Sequence, residues 1–138
     1  MAVALTGCTT PSSGYEDYQQ KVATTAEAMS SAVSSASLGA RAWLHGRLTD
    51  SYADTVVTNA ERDAESVITA LDSRQPPDEQ SIKLKDRADQ SLQDVSNALT
   101  DLRIALRRDD PAGVGQALRE LQQPMQKLAR LGDLKQGG

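Results

Sequence analysis

Two side chains in this sequence are unique in type and chemically capable. Cys8 is the only thiol and His45 the only imidazole. A thiolate is a nucleophile that can be alkylated, but a single cysteine excludes an internal disulfide and a multi-cysteine zinc site. Di-metal sites in helical bundles use Glu-x-x-His pairs, and Ala42 rather than Glu stands three residues before His45. His45 therefore reads as a solvated surface residue. No Ser-His-Asp set finds support, since one imidazole without a nucleophile elbow gives no geometry. Gly113-Val114-Gly115 lacks the spacing and the lysine of a phosphate loop. No catalytic, metal or cofactor-binding residue is predicted, and an enzyme is the reading these residues favour least.

The next candidates are polar residues on apolar helix faces. Asn59 and Asp63 fall one turn apart on the face expected to be buried. Buried polar groups need partners, and an unpaired charge there would be costly. Arg103, at the edge of a neighbouring stripe, is the expected partner of Asp63. The contact would fix helix register, or the two residues would sit at the rim of that face; the alternative is a small-ligand site inside the bundle. Pro124 interrupts an otherwise helical pattern and predicts a kink, with a hinge as the alternative. Trp43 and Tyr52 flank one turn; they read as core or end-cap packing, or else as anchors for a partner. Ile104 projects away from its own seam. The mixed-sign run Lys83-Leu84-Lys85-Asp86-Arg87-Ala88-Asp89 reads as a solvated helix face.

Composition bounds what can position these groups. At 138 residues one domain is expected. Aromatic residues make up 3%, with no Phe, so the core must be Leu, Val and Ala. Such small apolar residues suit closely packed helices, and strand-type runs with period 2 are absent. The formal net charge is −4 and the pI about 4.9. An acidic chain without a basic patch is a poor nucleic-acid binder, so no nucleic acid partner is predicted. No apolar run approaches the roughly 18 residues that a membrane span needs.

Four helical stripes follow from the spacing of apolar residues. Tyr15, Tyr18, Val22, Ala26, Met29, Val33, Ala36, Ala40, Trp43 and Leu44 share one face, predicting a helix from Tyr15 to about Arg47. Leu38 points the other way, which leaves a break at Leu38-Gly39 as the alternative. A new phase begins after Leu48-Thr49-Asp50, with Ala53, Val56, Val57, Ala60, Ala64, Val67 and Leu71. Ser51 and Asp54 there resemble a capping box, and Gln75-Pro76-Pro77 ends the helix. Ala88, Leu92, Val95, Leu99, Leu102 and Leu106 step by four and three, the seam of a third helix from about Asp78 to Arg108. Asp110-Pro111 restarts the chain as N-cap and first helical residue. Val114, Ala117, Leu118, Leu121, Met125, Leu128 and Leu131 form the fourth stripe. The predicted fold is all-α, an antiparallel up-and-down four-helix bundle over 15–134 with a tail at 135–138.

Ahead of the bundle stands Leu5-Thr6-Gly7-Cys8, followed by Thr9-Thr10-Pro11-Ser12-Ser13-Gly14, the composition of a flexible tether. Leu5-Thr6-Gly7-Cys8 resembles the lipobox of bacterial lipoproteins. The resemblance implies Leu5 in the apolar slot, Thr6 in the small slot, cleavage after Gly7 and lipid on Cys8. Residues 1–7 would then be the remnant of a signal peptide and residues 8–14 the anchor and tether. A full signal has a cationic start and an apolar core of roughly 7–15 residues, so the native start is expected upstream of Met1. If Met1 is the true start, an intracellular adaptor is the alternative.

Further residues carry a wider likeness: Gly46-Arg47-Leu48-Thr49-Asp50-Ser51-Tyr52-Ala53, Gln75-Pro76-Pro77-Asp78 and Arg103-Ile104-Ala105-Leu106-Arg107-Arg108-Asp109. With the lipobox they resemble small secreted lipoproteins of actinobacteria, helical and of undefined role. What the resemblance implies is a place on the outer face of the cytoplasmic membrane, held through lipid on Cys8. The expected role is a non-enzymatic interaction or regulatory module with an envelope protein partner.

Overall fold

The computed structural model describes residues 14–133. Its helices are α1 (Tyr15–Leu44), α2 (Asp50–Asp72), α3 (Glu79–Arg107), α4 (Pro111–Glu120) and α5 (Gln122–Gly132). α4 and α5 are one helix interrupted at Leu121, so the architecture is the expected antiparallel up-and-down four-helix bundle. Cys8 and Gly7, with the rest of 1–13 and the tail 134–138, lie outside the described residues.

The helices pack in chain order around the bundle, with α5 returning against α1. The diagonals are unequal. α1 touches α3 across the centre, whereas α2 touches neither α4 nor α5. Side-chain size explains this. α1 buries Ala26, Ala32, Ala36 and Ala40, and α3 buries Ala88, Ala98 and Ala105, so these two helices can approach closely. The larger apolar side chains of the α3 seam, Leu92, Leu99 and Leu102, are fully buried, each contributing roughly 1.5–3 kcal/mol of transfer free energy.

α1 ends at Leu44, short of the expected Arg47. Gly46 adopts φ +70°, a left-handed conformation that glycine tolerates without strain. Gly46 N–H donates to the Trp43 carbonyl at 2.9 Å and Arg47 N–H to the Ala42 carbonyl at 2.8 Å. These two bonds close the last turn and stop the helix. Leu44 is consequently half out of the core rather than within it. The alternative break at Leu38-Gly39 does not occur: Gly39 is helical and buried, and Leu38 projects to solvent.

The start of α2 also differs from expectation. Thr49, not Ser51, is the N-cap, its hydroxyl accepting from Tyr52 N–H at 3.3 Å. Asp54 is drawn instead across to α3. Asp50 accepts a 2.6 Å bond from Trp43 Nε1, so the buried indole of α1 ties the turn to the helix that follows. α2 closes at Asp72, ahead of the two prolines. The other two starts are as expected. Asp78 caps α3, accepting from Ser81 N–H at 2.7 Å, and those bonds to Ser81 hold its carboxyl below the usual carboxylate range. Asp110 caps α4, accepting from Gly113 N–H at 3.0 Å with Pro111 behind it.

Candidate functional site

Asn59 and Asp63 do not face the core. Both are exposed. α2 occupies a corner of the bundle and touches only α1 and α3, so its buried stripe is narrow: Ala53, Val57, Ala60, Ala64 and Leu71. Asn59 and Asp63 each stand one residue before a stripe position, about 100° off its centre, which carries them to solvent. Glu61, one residue after Ala60, turns the other way and meets α3. Arg103 Nε donates to Glu61 Oε2 at 2.5 Å, and Thr100 Oγ1 donates to Glu61 Oε1 at 2.9 Å. Arg103 therefore does make the interhelix contact expected of it, with Glu61 in the place assigned to Asp63.

This pair belongs to a ladder along the α2–α3 seam. Asp54 accepts from Arg107 Nε at 2.8 Å, and Asp72 accepts from Lys85 Nζ at 3.2 Å. The three carboxylates run up the sequence as their cations run down it, as antiparallel helices require. Lys85 also reaches Asp89, and the bonds to Asp89 and then Asp72 hold its ammonium above the ordinary lysine value. Beside this cluster the Tyr18 hydroxyl is buried without a hydrogen-bond partner among the described residues, and desolvation raises its pKa. The ladder ties α2 to α3, and Asn59 and Asp63 stand outside it, exposed to solvent.

Trp43 is core, as expected, while Tyr52 is exposed. His45 is exposed, with its Nδ1 2.7 Å from the Arg41 carbonyl. Ile104 sits at the edge of the α3 surface as its phase implied. No group of three or more metal-ligating side chains occurs among the described residues, and no described helix is long and apolar enough to cross a membrane.

An open apolar groove lies between α1 and the α4–α5 helix. Its volume is about 450 Å³. Val33, Leu38 and Arg41 line it from α1, and Leu118, Leu121 and Met125 from the other side. Pro124 lies on the helix that forms this wall. It has no N–H to offer the Glu120 carbonyl, and the helix turns at Leu121 just ahead of it. Leu121 N–H still bonds the Ala117 carbonyl and Met125 N–H the Leu121 carbonyl, both at 3.1 Å. The helix is thus interrupted at Leu121, whose own backbone stays helical, and continues past it. Leu38 stands at the lip of the groove, 69% exposed. Its outward phase was visible in the sequence; the groove beneath it was not, because two helices distant in sequence build it. Comparison with protein families, with curated proteins and with solved structures gave no match.

Proposed function

We propose that this chain is a lipid-anchored, non-enzymatic interaction module of the cell envelope. Cys8 would carry the lipid after cleavage at Gly7, placing the bundle on the outer face of the cytoplasmic membrane. The short stretch 9–14 would let it stand off the surface. One acyl chain binds a membrane only marginally and two hold stably, so a doubly acylated Cys8 would need no help from the helices. The support for the anchor is the motif Leu5-Thr6-Gly7-Cys8 ahead of a bundle whose described helices offer no membrane span.

The observation that carries the interaction role is Leu38, a large apolar side chain left 69% exposed beside an open groove. Leu38 extends the apolar lining of the groove outward, and contiguous apolar surface of sufficient size marks contact sites. The competing reading, a small ligand held between the helices, loses its basis once Asn59 and Asp63 face solvent. The test of the anchor is metabolic labelling with a clickable fatty acid in cells carrying the full native locus. Label on the wild-type protein and none on Cys8→Ala is expected; an unlabelled wild-type protein would contradict the anchor.

A further inference from the structure

We infer that the groove between α1 and α4–α5 receives an acidic, amphipathic helix of a protein partner. The inference rests on reading the bundle as an interaction module and names the kind of partner that module takes. Shape gives the first part. The floor is apolar, with Val33, Leu118, Leu121 and Met125, and the site is a trough between two helices. Helix-in-groove recognition uses such a trough, with apolar residues at i, i+3, i+4 and i+7 of the incoming helix as anchors.

Charge gives the second part. The molecule is acidic overall, at −4, yet its charge is unevenly placed. α2 carries Asp50, Asp54, Glu61, Asp63, Glu65 and Asp72 against Arg62 alone. α2 makes no contact with α4 or α5, so this acidic corner lies across the bundle from the groove. Among the residues that line the groove the one charge is that of Arg41, and no carboxylate occurs. No Asp or Glu lies between Glu27 and Asp50 in the sequence, whereas Arg41 and Arg47 do. The α4–α5 helix carries Arg119, Lys127, Arg130 and Glu120, none of which lines the groove. Arg41 lines the groove itself and forms no ion pair among the described residues. An apolar floor edged by Arg41, with no carboxylate among its lining residues, complements carboxylates flanking an apolar stripe.

An anionic bilayer shares the charge preference but not the shape, since a flat surface cannot fill a trough. A second copy of the chain could present its acidic α2, but that contact would join two different faces and leave each chain with one unfilled groove, a head-to-tail arrangement that does not close as a dimer.

The test uses the full chain under reducing conditions. The probes are two fluorescent 18-residue peptides with Leu at i, i+3, i+4 and i+7 repeats, one with Glu and one with Lys at the remaining positions. Anisotropy should show saturable binding of the Glu peptide. Leu38→Glu and Arg41→Glu should each weaken it about tenfold or more, while Arg62→Glu on the opposite corner should leave it unchanged. Leu38 and Arg41 are both solvent-exposed, so these variants should keep the fold, which circular dichroism checks. No binding of the Glu peptide, binding indifferent to both groove variants, or equal binding of the Lys peptide at the groove would each overturn the inference. So would groove-dependent sedimentation with phosphatidylglycerol vesicles, or groove-dependent self-association, in the absence of peptide binding. Because the assay needs no lipid, its failure is separate from failure of the Cys8 anchor, which fatty-acid labelling reads.

Discussion

A Cβ placed on Gly39 would come within 2.8 Å of Val56 Cγ1. At Gly39 α1 passes close against Val56 of α2, which accounts for a glycine within a thirty-residue helix, five residues before its end. The lost helix propensity, about 1 kcal/mol relative to Ala, is set against a close α1–α2 contact that any side chain would obstruct. Gly39→Ala should accordingly destabilise by about 1–2 kcal/mol despite its better propensity, because overpacking costs typically 1–3. Denaturant midpoints would show it, and pairing it with Val56→Ala should recover part of the loss. A Gly39→Ala protein more stable than the parent would mean that the close approach is not what retains the glycine.

The Glu61–Arg103 pair is mostly shielded, with side-chain exposures of 19% and 24%. Arg103→Ala should cost about 1–2 kcal/mol, since it leaves a charge-assisted bond unmade in a partly buried setting. Asn59→Ala and Asp63→Ala, on the solvated flank, should stay within about 0.5 kcal/mol of the parent. A double-mutant cycle between Glu61 and Arg103 measures the coupling; the same cycle between Asp63 and Arg103 should read near zero.

That contrast also marks what the sequence could deliver. The α3 seam, Ala88 through Leu106, is buried as its spacing implied, because a helix packed on several neighbours buries a broad stripe that periodicity detects. On α2 the fully buried stripe is narrow, and the difference between Asn59 and Glu61 depends on which corner the helix occupies. Spacing within one helix does not encode that. Helix ends show the same division. Asp78 and Asp110 cap as their types suggested, being strong N-caps beside an unambiguous loop. Thr49 and Ser51 are both competent caps two residues apart, and the Trp43–Asp50 bond, a tertiary contact, accompanies the choice of Thr49. The groove under Leu38 was out of reach for the same reason.

Stability should fall in alkali. The Lys85 ammonium is held above the ordinary lysine value by Asp89 and Asp72, and burial holds the Tyr18 hydroxyl above the ordinary phenol value. In both groups the folded state keeps its proton longer than the unfolded one. The contribution is therefore fully present below the unfolded pKa values, about 10, and is lost as pH rises through the folded ones. Denaturant midpoints should decline above about pH 10, and the decline should flatten in a Lys85→Met, Tyr18→Phe variant. An equally steep decline in that variant would place its origin elsewhere.

Pro124→Ala should let α4 run into α5 without interruption, adding the bond to the Glu120 carbonyl. A gain of about 1 kcal/mol is expected, below the roughly 3 kcal/mol of a mid-helix proline, since Pro124 falls within the first turn of α5. The same change should alter the wall of the groove. Weaker binding of the acidic peptide in a more stable protein would separate the proline's role in shaping the site from any role in folding.

The proposed anchor faces its most direct test in the intact mass and cell fractionation of the protein expressed from its full native locus, beside Cys8→Ala. The expected result is a chain beginning at Cys8 with added lipid mass, recovered with the membrane and released from it in the variant. A soluble wild-type chain that retains Met1 and carries no lipid would contradict the account.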